Sequence, residues 1–151
     1  MAFVFKLQNL LNWKKNLEEL SQMRLTEKLK QLRFEEEEIQ RLIEQRSTYQ
    51  QELQEKSRQG LSAAEYLTYQ YYLERTLQDL LLQEEKKEIT TREAEGEREK
   101  LMALTKQKKI LEKLREKRLR KFMLQSEREE RSKNDETVIS RYRSSPKVTF
   151  S

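Results

Sequence analysis

No proline or glycine interrupts the chain from Leu7 to Arg58, and after Ser62 no proline occurs before Pro146. Stretches of that length without breakers favour the α-helix, since proline removes an amide donor and glycine costs about 1 kcal/mol against alanine. The single strong interruption is Gly60, followed by Leu61-Ser62-Ala63-Ala64-Glu65-Tyr66. Glycine reaches positive φ without a Cβ clash and ends helices. Ser62 and Glu65 then form an S-x-x-E capping box, with Leu61 and Tyr66 at the positions of a hydrophobic staple. A stop and a start this close together predict two helices joined by a tight turn.

The apolar spacing supports that reading. Leu7, Leu10, Trp13, Leu17 and Leu20 recur at steps of three and four, and Leu25, Leu32, Ile39, Ile43, Arg46, Gln50 and Leu53 continue the rhythm with polar gaps. Beyond the turn, Tyr66, Tyr69, Leu73, Leu77 and Leu80 share a face, and Leu101, Leu104, Lys108, Leu111 and Arg115 extend it. This is the pattern of an imperfect coiled coil. A turn at Gly60 makes facing residue numbers sum to about 121. Leu53 is thereby expected near Leu67, Ile43 near Leu77, Leu20 near Leu101, Leu17 near Leu104 and Leu10 near Leu111. The predicted fold is all-α: two long helices in an antiparallel coiled-coil hairpin, with a longer second helix and a disordered C-terminal tail. The boundaries are residues 1–59 for the first helix, 60–62 for the turn, 63–133 for the second helix and 134–151 for the tail. At 1.5 Å per residue the first helix is about 80 Å long and the second about 105 Å, so the second is expected to run on alone beyond about Arg118. Gly96 falls within the second helix, as a tolerated glycine or a bend.

Composition excludes most chemistry. There is no Cys and no His, so the thiolate nucleophile, the imidazole base and the ordinary zinc site are all missing. Two glycines cannot build a phosphate-cradling loop. No catalytic residue, cofactor, metal or small-molecule ligand is expected. Charged residues make up 39% of the chain and apolar ones 34%, enough for a narrow buried stripe and too few for a broad core. No apolar run is long enough to span a membrane, and the start does not read as a secretory signal.

Three features remain as candidates for contact with other molecules. Nine basic residues between Lys106 and Lys121 are offset only by Glu112 and Glu116. Such a run could follow nucleic-acid phosphates, yet Leu101, Leu104, Leu111 and Leu114 place it in the paired part of the hairpin, which favours a solvated or protein-binding face. With Leu73 set inward, Leu67, Tyr71 and Leu82 fall on the outer face and Tyr72 on the flank, while on the first helix Phe34 points away from the Ile39 stripe and Tyr49 sits at its edge. A two-helix protein has no third layer to cover them, so they form a candidate docking surface. Glu35-Glu36-Glu37-Glu38 are consecutive, fan around a helix and read as solvated charge. The tail ends Lys147-Val148-Thr149-Phe150, which resembles a short docking motif of eukaryotic phosphatase regulators.

Taken in order, these residues resemble a known family. Phe3-x-Phe5-x-Leu7-x-x-Leu10-Leu11 with Lys14, Lys15 and Glu18 resembles the N-terminus of FliJ, a coiled-coil protein of the bacterial flagellar type III export apparatus. Tyr66, Tyr69, Tyr72 and Leu73 after the turn are similar to its central segment. Lys108-Lys109-x-Leu111-Glu112-x-Leu114-x-Glu116-Lys117, Glu129-Glu130-Arg131 and Asn134-Asp135-Glu136 resemble its C-terminal run. The likeness covers roughly residues 3–143. It implies a nonenzymatic stalk that inserts into the hexameric export ATPase, contacts the export gate membrane protein and escorts export chaperones, in the cytoplasm at the membrane face of the flagellar base. On that footing Lys108, Lys109, Arg115, Arg118, Lys121 and Phe122 are expected to meet the ATPase ring, and Tyr49, Leu67, Tyr71 and Tyr72 the gate. The alternatives are a generic structural coiled coil, a phosphatase-docking regulator and, least favoured, a nucleic-acid binder.

Overall fold

The computed structural model describes residues 2–144, and within them the chain forms two helices, α1 (Gln8–Gln59) and α2 (Ala63–Ser144). Gly60 takes φ +101°, the left-handed value that a glycine supplies freely. The Glu65 amide donates to Ser62 Oγ at 3.2 Å, and the Tyr66 amide to the Ser62 carbonyl at 3.0 Å, so the cap opens α2 as the sequence predicts. α2 continues unbroken through Gly96.

The second helix does not fade at Lys133-Asn134-Asp135; it continues to Ser144. Ser132, Asn134 and Asp135 each lower helix propensity by only a few tenths of a kcal/mol, which is not a stop signal. Their side chains are exposed, and Thr137 Oγ1 donates back to the Lys133 carbonyl at 2.8 Å. Arg141 and Arg143 stand in the last turn, where cations favour the helix dipole. Pro146 and the Lys147-Val148-Thr149-Phe150 motif lie outside the described residues.

The chain divides into two units. One is Asn16–Leu104; the other combines the described residues of 1–15 and 105–151. Within Asn16–Leu104, α1 and α2 run antiparallel. Lys28 bonds Glu93, Thr90 Oγ1 donates to Glu35 Oε1 at 3.0 Å, and Tyr69 OH donates to Glu52 Oε2 at 3.3 Å. The Lys28–Glu93 and Glu52–Tyr69 pairs sum to the value expected for a turn at Gly60. The inner stripe of α1 runs Ser21, Leu25, Lys28, Leu32, Glu35, Ile39, Leu42, and that of α2 runs Leu73, Thr76, Leu80, Thr90, Ala94; each of these is buried or half-buried. The spacing is the heptad alternation of a coiled coil, with an unusual share of hydroxyl and charged side chains.

That stripe corrects the predicted one in detail. Tyr66, Leu77 and Ile43, expected inside, are exposed, while Thr76 and Leu42 take the inward places. Glu35 is also corrected: it is 6% exposed rather than solvated, because it occupies an inward heptad position opposite Thr90. Glu36 and Glu38 stay near the surface, facing Lys87 and Arg41.

In the unit of chain ends, Leu11 is the best-buried side chain at 2% exposure, and its neighbour Leu10 is 38% exposed. The inward face of α1 here is thus Leu11 and Lys14, one position on from the predicted Leu10 and Trp13. Lys14 Nζ donates to Gln107 Oε1 at 2.8 Å, and Arg115 Nε to Gln8 Oε1 at 3.0 Å. Ahead of α1, Phe5 is buried and its ring lies 5.7 Å from the Arg118 guanidinium, while the rings of Phe3 and Phe122 are 5.6 Å apart. These two phenylalanines extend pairing along α2 to Phe122, past Arg118 where it was expected to end.

Candidate docking surfaces

The predicted aromatic residues meet near the turn. Tyr49 of α1 and Tyr72 of α2 stack with ring centroids 5.4 Å apart and planes 21° from parallel, and Tyr71 tilts against Tyr72 at 5.9 Å. Offset stacking of this kind contributes about 0.5–1.5 kcal/mol beyond burial. The hydroxyls are held as well: Gln45 Nε2 donates to Tyr49 OH at 3.0 Å and Arg75 donates to Tyr71 OH at 3.1 Å. The Tyr71 hydroxyl raises the Arg75 pKa, chiefly through that hydrogen bond. Leu67 lies one turn before Tyr71 on α2 and is 66% exposed. Tyr71, Glu74, Arg75, Gln78 and Asp79 line a shallow depression on the same face, and Leu82 continues it as an exposed residue. Leu81 is exposed beside it. Rings whose polar ends are already tethered make a rigid, amphipathic surface, the kind of side chain that supplies binding hot spots at little entropic cost.

The predicted basic residues are more divided. Lys109 and Lys121 are exposed, and Lys108 is half-buried. Arg115 and Arg118 are engaged within the fold: their guanidinium groups lie over the rings of Phe3 and Phe5, each at 5.7 Å. Cation–π contacts of this kind are worth roughly 0.5–2 kcal/mol. Phe122 is half-buried against Phe3. Further along α2, Met123, Leu124, Val138, Ile139 and Tyr142 are exposed. Helix periodicity alone does not pair Phe3 and Phe5 with the basic run. Their spacing relative to Arg115 and Arg118, near the sum of 121, was the available signal.

Among the described residues no cluster of acidic side chains is placed to hold a metal ion, and no helix is long and apolar enough to cross a membrane.

Within Asn16–Leu104 the two helices thus form an antiparallel coiled coil with paired aromatic side chains near its turn. The chain belongs to the flagellar FliJ protein family, which it matches over residues 3–147. It is therefore a protein of the flagellar export machinery, from a noncatalytic family. No curated protein and no solved structure matches the chain.

Proposed function

We propose that this protein is the nonenzymatic central stalk of the export ATPase, bridging the ATPase ring to the export gate membrane protein and escorting export chaperones at the cytoplasmic face of the membrane. The observation that carries the proposal is the aromatic surface near the turn, with Leu67, Tyr71 and Tyr72 exposed and Tyr49 half-buried against Tyr72, on a family member of this machinery. A helix pair has no further layer of its own to cover such a surface, and exposed aromatic clusters mark protein contacts. This surface is assigned to the gate. Lys108, Lys109, Arg115, Arg118, Lys121 and Phe122 are assigned to the ATPase ring, with Lys109 and Lys121 reaching outward and Arg115 and Arg118 acting partly through the packing of Phe3 and Phe5.

The test is purification with the cognate export ATPase. Co-elution and a several-fold change in ATP hydrolysis on adding excess protein are expected. Absence of both, with the protein fully helical, removes the stalk assignment.

A further inference from the structure

Past Ser126, α2 runs without cover among the described residues: residues 127–144 are all exposed. The stretch nonetheless carries a stripe. At about 100° per residue, Leu124, Arg128, Arg131, Asp135, Val138 and Tyr142 fall within about 40° of one line, at alternating steps of four and three. Its apolar members Leu124, Val138 and Tyr142 are 57%, 64% and 84% exposed. Phe122, packed on Phe3, lies about 160° away around the helix, so the stripe is on the side that the first residues of the chain leave open.

What covers such a stripe follows from its charges. A wholly apolar occupant would desolvate Arg128, Arg131 and Asp135 without partners. A second copy of the stripe laid parallel would set each of these three against its like. Laid antiparallel, with facing residue numbers summing to about 266, the same stripe complements itself. Arg131 then meets Asp135 twice, Leu124 meets Tyr142 twice, and the aliphatic stem of Arg128 lies over Val138. On the flank, Glu127 meets Arg141 twice, and Asn134 meets its own copy, an amide that both donates and accepts. A shift of one heptad spoils the match, since it sets Arg131 against Arg128 in one direction and against Tyr142 in the other. Glu127, Arg131, Asp135 and Arg141 enter none of the ion pairs among the described residues, so their charges are available. Residues 124–142 hold four cations and five carboxylates, so net charge does not keep two copies apart.

We propose that residues 124–142 of α2 are a self-association surface, pairing antiparallel with the same residues of a second copy of this chain about a two-fold axis beside Asn134. Four pairs of opposite charge hold the alignment, and the apolar ends of each stripe cover one another. The surface shares no residue with those assigned to the gate or to the ATPase ring, and the proposal stands without the stalk assignment.

Sedimentation of the full chain at low salt over a range of concentrations tests it. A reversible monomer–dimer equilibrium is expected. Glu127→Arg and Arg141→Glu each turn two attractive pairs into two repulsive ones, and each is expected to weaken dimerisation by about tenfold or more with helicity retained. An equal mixture of the two variants is expected to recover dimers, as a heterodimer, to within about threefold of wild type, because every flanking pair is again of opposite charge. The chain has no cysteine, so Asn134→Cys reports the axis directly. Mild oxidation is expected to link it into dimers about tenfold faster than Thr137→Cys, which lies on the far side of the helix. Monomer at every concentration, weakening by the single variants without recovery in the mixture, or equal crosslinking of the two cysteine variants would overturn the proposal.

Discussion

Thr90 of α2 donates its hydroxyl proton to Glu35 of α1 across a buried seam, at 3.0 Å, and Gln31 adds a weaker bond to the same carboxylate oxygen at 3.3 Å. The second oxygen, Oε2, has no partner. A carboxylate in this position favours one alignment of the helices at a cost in stability, as polar residues at inward coiled-coil positions do. Thr90→Val keeps the shape and removes the donor, so it is expected to destabilise by about 1–3 kcal/mol. Glu35→Met removes the desolvated carboxylate and is expected to equal or exceed the wild type in urea denaturation. Equal stability of Thr90→Val and wild type would show that the bond contributes nothing.

Leu10 and Leu11 are adjacent and chemically identical, yet only Leu11 is enclosed. Leu11→Ala is expected to cost about 2–4 kcal/mol through lost burial and a residual cavity. Leu10→Ala is expected to cost under about 1 kcal/mol, since much of its surface already meets water. Thermal or urea unfolding of the two variants side by side distinguishes this face from the one predicted by simple periodicity.

Leu67 and Tyr71 stand one helical turn apart, both exposed. The double variant Leu67→Ala, Tyr71→Ala is expected to weaken binding to the cytoplasmic part of the export gate by about thirtyfold or more, the range of hot-spot truncations. Far-ultraviolet circular dichroism is expected to be unchanged. Loss of helicity would make these residues structural supports instead.

The hydrogen bond to Glu93 raises the Lys28 pKa above its ordinary value of 10.5, with the field of the same carboxylate adding to it. A raised pKa means that the contact stabilises the fold fully below the unfolded value and loses that contribution as pH rises through the folded one. The difference in melting temperature between wild type and Lys28→Gln is therefore expected to be constant from neutral pH to about pH 10, and to shrink above about pH 10.5. A difference that grows with pH would contradict the pairing.

Much of this architecture is legible along the chain because its causes are local. The run without breakers, the positive φ available to Gly60 and the reach of Ser62 Oγ to the Glu65 amide each depend on residues a few positions apart. The helix-to-helix register followed from the turn alone, since a short connection leaves little freedom in which residues face each other. The aromatic surface was legible for the same reason: an outer face on one helix is defined once its inner face is known, and Leu67, Tyr71 and Leu82 are exposed as that face requires.

The finer choices belonged to the tertiary structure. Leu10 or Leu11, Leu77 or Thr76, and Ile43 or Leu42 are neighbouring residues, and a helix rotated by a fraction of a turn buries either. Hydrophobicity does not break that tie where the winning stripe includes Ser21, Glu35, Thr76 and Thr90, which are polar and yet buried. Packing does: Thr90 meets Glu35 of the other helix, and Thr76 Oγ1 donates to the Tyr72 carbonyl in the preceding turn. The sequence by itself thus determined two helices, one turn and one register. The second helix determined which side of each turns inward, and the segment before Gln8, with Phe5 folded under Arg118, determined how far the pairing reaches.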